Sequence, residues 1–240
     1  MEHSQLDSAF LSAITRSFRS FLECGTSRST HKLKPLHGAI ASDLAMRLGA
    51  EYQVKSQGYG DDKEGFISGR YVDKNVDILV SKRASGDVVA GLAVKFVMQN
   101  YSQNSNNYFE NMLGETANIR AKGYPYFQIF IILDRLPYYK KDKSISRWET
   151  FTAHNIEKYV ALSQDNIDVY VHTPNKTLVY VVHIPDNDDL GTLNEYIEYY
   201  RDLNVEVEKT NIEYAAFGSS VIFNNYEVFM DKVYHTILSV

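Results

Sequence analysis

The chain has 240 residues, 44% hydrophobic and 23% charged, enough for one well-buried domain or two small ones. Its net charge of −5 weighs against a protein that coats nucleic acid through overall basicity, yet leaves room for local basic segments and for carboxylates offset by bound cations. The single cysteine, Cys24, excludes an intrachain disulfide and a cysteine-built zinc site; it reads as a small buried residue near a helix end.

In chain order, Leu6, Phe10, Leu11, Ile14, Phe18, Phe21 and Leu22 mark one apolar face of a helix over 4–23. Residues 25–34, GTSRSTHKLK, are polar and basic and read as a loop, and a second helix fits 36–49, ending at Gly49. Tyr52 and Val54 suggest a short strand, and QGYGDDK (57–63) a loop. Val76, Ile78 and Val80 alternate, Val88 to Val97 is a longer apolar run, and Gly86-Asp87 lies between them, which predicts an antiparallel hairpin. The polar run NYSQNSNN (100–107) reads as a loop leading into a helix over about 106–122 that stops at Gly123. The continuous apolar run YFQIFIIL (126–133) predicts a strand buried on both faces. Residues 134–149 read as a loop, 150–163 as a helix, 167–173 and 177–184 as a strand pair, and 190–203 and 223–239 as closing helices. No linker divides the chain, so a single domain over 1–240 is expected, of α/β class, with a mixed central β-sheet flanked by α-helices. No stretch approaches the ~20 apolar residues of a membrane span, and the first residues lack the pattern of a secretory signal, which predicts a cytoplasmic protein with no membrane partner.

The chemistry-bearing residues lie between Glu64 and Glu115. Asp77 sits on one strand of the predicted hairpin and Lys95 on the other; Lys95 interrupts an apolar run, where a lysine is costly without partners. Phosphodiester hydrolysis needs an activated water and neutralised phosphate charge, work suited to carboxylates that hold Mg²⁺ beside a lysine. The plain structural reading is a polar strand edge for Asp77 and an edge lysine for Lys95.

An acid, a hairpin, a lysine after a short apolar run, then a helix: this order resembles the core of the PD-(D/E)xK restriction-endonuclease-like superfamily, over about residues 36–135. The resemblance implies a restriction-endonuclease-like fold and Mg²⁺ as cofactor. It makes Asp77 the first metal-binding acid, Lys95 the lysine, the Val94 carbonyl a further metal ligand and Glu64 the upstream glutamate that many members add. At the place of the second acid, two residues before the lysine, stands Ala93. Three accounts of it stay open: an acid replaced by alanine in an engineered, inactive variant; an acid that has migrated to the following helix as Glu110 or Glu115; or a nuclease fold that only binds.

For nucleic-acid contacts, Asn100, Gln103, Asn104, Asn106 and Asn107 follow the lysine strand and suit base edges and phosphates, although a polar helix cap explains them as well. Tyr139, Lys140, Lys141 and Arg147 interleave aromatic rings with cations, and Arg28, His31, Lys32 and Lys34 form another basic segment. The seven histidines show no metal-ligand spacing. The expected function is that of a type II restriction endonuclease cutting double-stranded DNA with Mg²⁺, working as a homodimer on a two-fold site. The competing expectations are a catalytically dead binding module and a non-specific defence nuclease.

Overall fold

Eight consecutive buried residues, Tyr126–Leu133, form strand β6 at the middle of a seven-stranded mixed sheet. The structure is a computed structural model and describes residues 3–24, 30–214 and 217–240. A strand apolar at every position must be covered on both faces, which is the environment of a parallel strand between helical layers. β6 pairs in parallel with β5 (Val88–Val97) on one side and with β9 (Lys176–His183) on the other. Beyond β5 the sheet turns antiparallel through β4 (Ile78–Lys82) and β1 (Tyr52–Ser56). On the far side, β10 (Glu208–Lys209) runs antiparallel and β11 (Val221–Phe223) parallel to β9.

Helices cover both faces. α1 (His3–Cys24) buries Phe10, Ala13, Ile14, Phe18, Phe21 and Leu22, the stripe expected of its spacing. α2 (Lys34–Leu48) opens with Pro35 in its first turn and ends at Gly49, whose φ of 72° suits a residue without a side chain. The closing helices are α5 (Leu193–Asp202) and α6 (Tyr226–Leu238); α1 packs against α2, α5 and α6. The opposite face carries α3 (Tyr101–Arg120) and α4 (Ala153–Ser163), where Tyr159 of α4 meets Phe109 of α3 and Phe130 of β6 edge-on. Among the described residues no helix is long and apolar enough to cross a membrane.

Two hairpins go beyond the sequence reading: the first falls on residues given no element there, and takes Val76 away from the strand of Ile78 and Val80, and the second falls where a loop is predicted. β2 (Gly65–Ser68) pairs with β3 (Asp73–Val76), and β7 (Arg135–Tyr139) pairs with β8 (Ile145–Thr150). The first lies over β5, where Ile67, Val76, Leu79, Ile119 and Tyr126 make a second, smaller core. Gly91 permits this approach: a Cβ there would lie 2.5 Å from Ile67 Cδ1. The turn of the β2–β3 hairpin is held by one buried amide on α3. Asn118 Oδ1 accepts from the Tyr71 and Val72 amides at 2.9 and 3.3 Å, and its Nδ2 donates to the Val72 carbonyl at 2.8 Å. Phe66, Tyr71 and Val72 stay exposed on this hairpin.

Three other expectations are corrected. The polar run 100–107 is the first turns of α3, which starts at Tyr101; Asn100 takes a left-handed conformation (φ 51°) just before it. Residues 167–173 form turns and no strand, because Arg120 of α3 donates to the carbonyls of Ile167, Tyr170 and Thr173 at 2.7–3.0 Å and so takes up groups that a strand partner would need. Cys24 is exposed at the end of α1, not buried.

Replacing Asn118 with alanine removes three hydrogen bonds from the hairpin turn. The expected cost is roughly 1–3 kcal/mol of unfolding free energy in denaturant titrations, with faster hydrogen exchange at the Tyr71 and Val72 amides. Unchanged exchange at those two amides would show that the turn does not depend on Asn118.

Candidate active site

Asp77 occupies the single residue between β3 and β4. The β4–β5 ladder runs as far as Ile78 opposite Leu92. Two residues further along β5, the Val94 N–H donates to Asp77 Oδ2 at 2.7 Å, so a carboxylate continues the ladder where a strand carbonyl would otherwise stand. The Asp77 carbonyl accepts from Ser56 Oγ of β1 at 2.7 Å. Backbone and side chain of Asp77 are thus both held by neighbouring strands.

Around it lies a cavity of about 290 Å³ whose walls include Asp77, Ala93, Val94 and Lys95 together with Lys74, Tyr108, Glu115, Tyr126 and Gln128. Ala93 and Lys95 share one face of β5, and Ala93 stands directly opposite Gln128 of β6. Lys95 is exposed at the mouth and its Nζ lies 4.2 Å from the centre of the Tyr108 ring. Lys74 Nζ donates to Glu115 Oε1 at 2.5 Å across the cavity wall.

The charges act on one another. Burial pushes the Asp77 carboxyl up to about 6; the Val94 hydrogen bond opposes this, the Glu115 charge adds to it, and Lys74 and Lys95 pull it down. Desolvation lowers the Lys95 ammonium below its ordinary value, against the pull of Glu115 and Asp77. Burial, with Glu115 and Asp77 adding to it, drives the Tyr126 phenol well above its ordinary range, so it keeps its proton.

The structure therefore brings Asp77, Ala93, Val94 and Lys95 together as expected, and it separates the two helical acids. Glu115 lines the cavity, whereas Glu110 points to solvent and is not part of it. Glu64 lies outside the cavity and its Oε1 accepts from Gln57 Nε2 at 2.8 Å. Burial raises the Glu64 carboxyl, and the Asp77 charge adds to the rise, so the two carboxylates sense each other. The Val94 N–H donates to Asp77. Among the described residues no three Asp, Glu, His or Cys side chains converge as a metal site. Mg²⁺ keeps several waters and commonly takes one or two carboxylates plus substrate phosphates. Asp77 and Glu115 fit that pattern, a hydrated cation completed by a phosphate, better than a cation held by protein alone.

Of the residues expected to meet nucleic acid, several serve the fold. Asn100 clamps β7: its Oδ1 accepts from the Tyr139 amide at 3.0 Å and its Nδ2 donates to the Tyr139 carbonyl at 3.1 Å. Its Nδ2 also donates to Gln103 Oε1 at 3.2 Å, and Asn104 Nδ2 donates to the Asn100 carbonyl at 3.1 Å. Asn106 receives Lys158 Nζ at 3.5 Å, and Asn107 is exposed on α3. Tyr139 is buried, its ring against Tyr196, which removes it from the surface set. Lys140 and Lys141 are exposed at the β7–β8 turn, and Arg147 lies over the Tyr138 ring at 4.0 Å. Arg28 falls outside the described residues; Lys32 is buried beside Phe21, and Lys34 pairs with Asp62. Sequence reasoning missed Lys74, Tyr108 and Gln128. Gln128 carried a signal, being the one polar residue in an otherwise apolar strand.

Comparison of the chain with protein-family models, with curated proteins and with solved structures finds no match.

Because the folded chain holds the Asp77 proton more tightly than the ordinary value of 3.8 allows, its contribution to stability is present in acid and is lost as pH rises through about 6. Cation binding has the opposite sign, since it needs the carboxylate. The Asp77 side-chain ¹³C resonance is expected to titrate with a midpoint at about 6 in cation-free protein. Mn²⁺ affinity should strengthen across the same interval and lose that dependence in Asp77→Asn. A midpoint at the ordinary carboxylate value would show that Asp77 is not the desolvated acid described above.

Proposed function

We propose that the chain is a nuclease with the PD-(D/E)xK fold, acting on double-stranded DNA with Mg²⁺ in the manner of a type II restriction endonuclease. The observation that carries this reading is the meeting of Asp77 and Lys95 in one open cavity, with Asp77 oriented by the amide of Val94. The acid at the entry to β4, the lysine on β5 and the helix α3 that follows support this reading, with the β2–β3 hairpin standing between β1 and β4. On this reading the acid absent at Ala93 is supplied by Glu115 from α3, one of the places considered for a migrated acid. A Mg²⁺ ion bound by Asp77 and Glu115 would neutralise charge on the phosphate.

The chain's own residues then divide the work. Lys95 carries a positive charge at the cavity mouth, where it would orient the attacking water and stabilise charge on the pentavalent phosphorus. Lys74 holds Glu115 in place while the site is empty of cation. Tyr108 fixes the direction of the Lys95 side chain through its ring. Lys140, Lys141 and Arg147 on the β7–β8 hairpin are the cations offered to the DNA backbone, and two copies of the chain would match a two-fold site. A second reading, a fold that binds DNA without cutting it, is favoured by one observation: position 93 offers only a methyl group, and among the described residues two carboxylates, Asp77 and Glu115, line the cavity.

Plasmid digestion in Mg²⁺ separates these. The nuclease reading expects discrete fragments. It expects losses of about a hundredfold or more in rate for Asp77→Asn, Lys95→Ala and Glu115→Gln, with Glu110→Gln unaffected. Silence from the parent chain and from Ala93→Glu alike would rule out hydrolysis and leave the binding reading; a smear in place of bands would point to a non-specific nuclease.

A further inference from the structure

We infer that the space between Ala93 and Gln128 is a seat for an anionic phosphate oxygen, with the Gln128 side-chain amide as its donor; this rests on the nuclease reading and adds a substrate contact to it. Gln128 is 3% exposed, and its Nε2 is buried with no hydrogen-bond partner. A buried donor left unpaired costs the full desolvation of the group, a cost that a water, an ion or a ligand supplying the acceptor would remove. Gln128 faces the same cavity as Ala93, its direct neighbour in the β5–β6 register, and both lie on the face that α3 covers. Gln128 lines this cavity beside Ala93, its Nε2 sealed behind the wall, so a donor contact needs the amide to turn toward the space that alanine leaves open.

The charges around the seat suit a phosphate. Two ammonium groups, Lys74 and Lys95, face two carboxylates, Asp77 and Glu115, so the cavity itself is close to neutral before a cation enters. Lys95 lies two residues beyond Ala93 on the same face of β5, beside the Ala93–Gln128 pair. A tetrahedral phosphate placed there would meet an amide N–H on the strand side and an ammonium at the mouth, two donors for two oxygens. Donation from a neutral amide also leaves the phosphate's charge to Lys95 and to any bound cation, so the seat fixes position rather than charge.

The test uses the whole protein, ¹⁵N-labelled, and follows the Gln128 side-chain NH₂ signals while three probes are added in turn: a duplex oligonucleotide in Ca²⁺, inorganic phosphate, and formate at matched ionic strength. Duplex and phosphate are expected to shift these signals. The variants are Gln128→Met, which keeps the length and removes the amide, and Ala93→Leu, which plugs the gap. Both should weaken duplex binding by about tenfold or more. Gln128→Met should also raise the melting temperature of the free protein, since it removes an unpaired buried group; a merely structural glutamine would lower it. A shift with duplex alone assigns the seat to the polynucleotide. A shift with phosphate in a protein that neither binds nor cuts DNA keeps the seat and sinks the nuclease reading. No shift with duplex or phosphate, a response to formate alone, or duplex binding unchanged in Gln128→Met overturns the inference, even in a chain that cuts plasmid DNA.

Discussion

The hydrogen bond from the Val94 amide to Asp77 is the constraint on which the site depends. Asp77 lies between two strands that belong to different sheets, a place where a side chain would ordinarily turn to solvent. Tying one oxygen to the backbone of β5 keeps the carboxylate over the sheet, half-buried, at the cost of desolvating it. Its raised proton affinity records that cost, and the lysines of the cavity offset part of it. Lys95 follows from the same bond: with Val94 turned to donate to Asp77, the next residue on β5 must project to the same side as Ala93, toward the cavity.

What the sequence disclosed was the part governed by local periodicity. The stripe of α1, the unbroken apolar run of β6 and the Gly86-Asp87 turn between β4 and β5 each rest on neighbours within a few residues, and each stands in the structure close to where it was expected. That Asp77 and Lys95 lie near one another was legible for the same reason, since a hairpin with a short turn brings the two strands side by side. The β2–β3 hairpin was not legible, because its turn is shaped by Asn118, more than forty residues downstream. The stretch 167–173 was misleading in the opposite sense. Val169, Tyr170 and Val171 resemble a strand in composition, yet they are exposed, and their backbone is gathered by a distant arginine.

The choice between Glu110 and Glu115 shows how a small error of phase matters. Five residues correspond to about 140° around a helix, so both acids cannot face one cavity. The start of the helix does not set this phase; the burial of Met112, Thr116 and Ile119 does, and it puts Glu115 beside the inward face and Glu110 outside it. The asparagines of the first turns were equally ambiguous. Asn100 and Asn104 bond to the chain itself, Asn100 to the Tyr139 backbone of β7 and Asn104 to the Asn100 carbonyl, which their sequence alone does not disclose.

α3 is fastened at both ends. Asn100 locks its start to the β7–β8 hairpin, and Asn118 locks its last turn to the tip of the β2–β3 hairpin. Glu115 sits one turn before Asn118 on the same rod. The tip of the hairpin and Glu115 are therefore carried on the same last two turns of one helix. The helix is a beam between two supports, and one wall of the cavity is as rigid as the two hairpins that hold its ends.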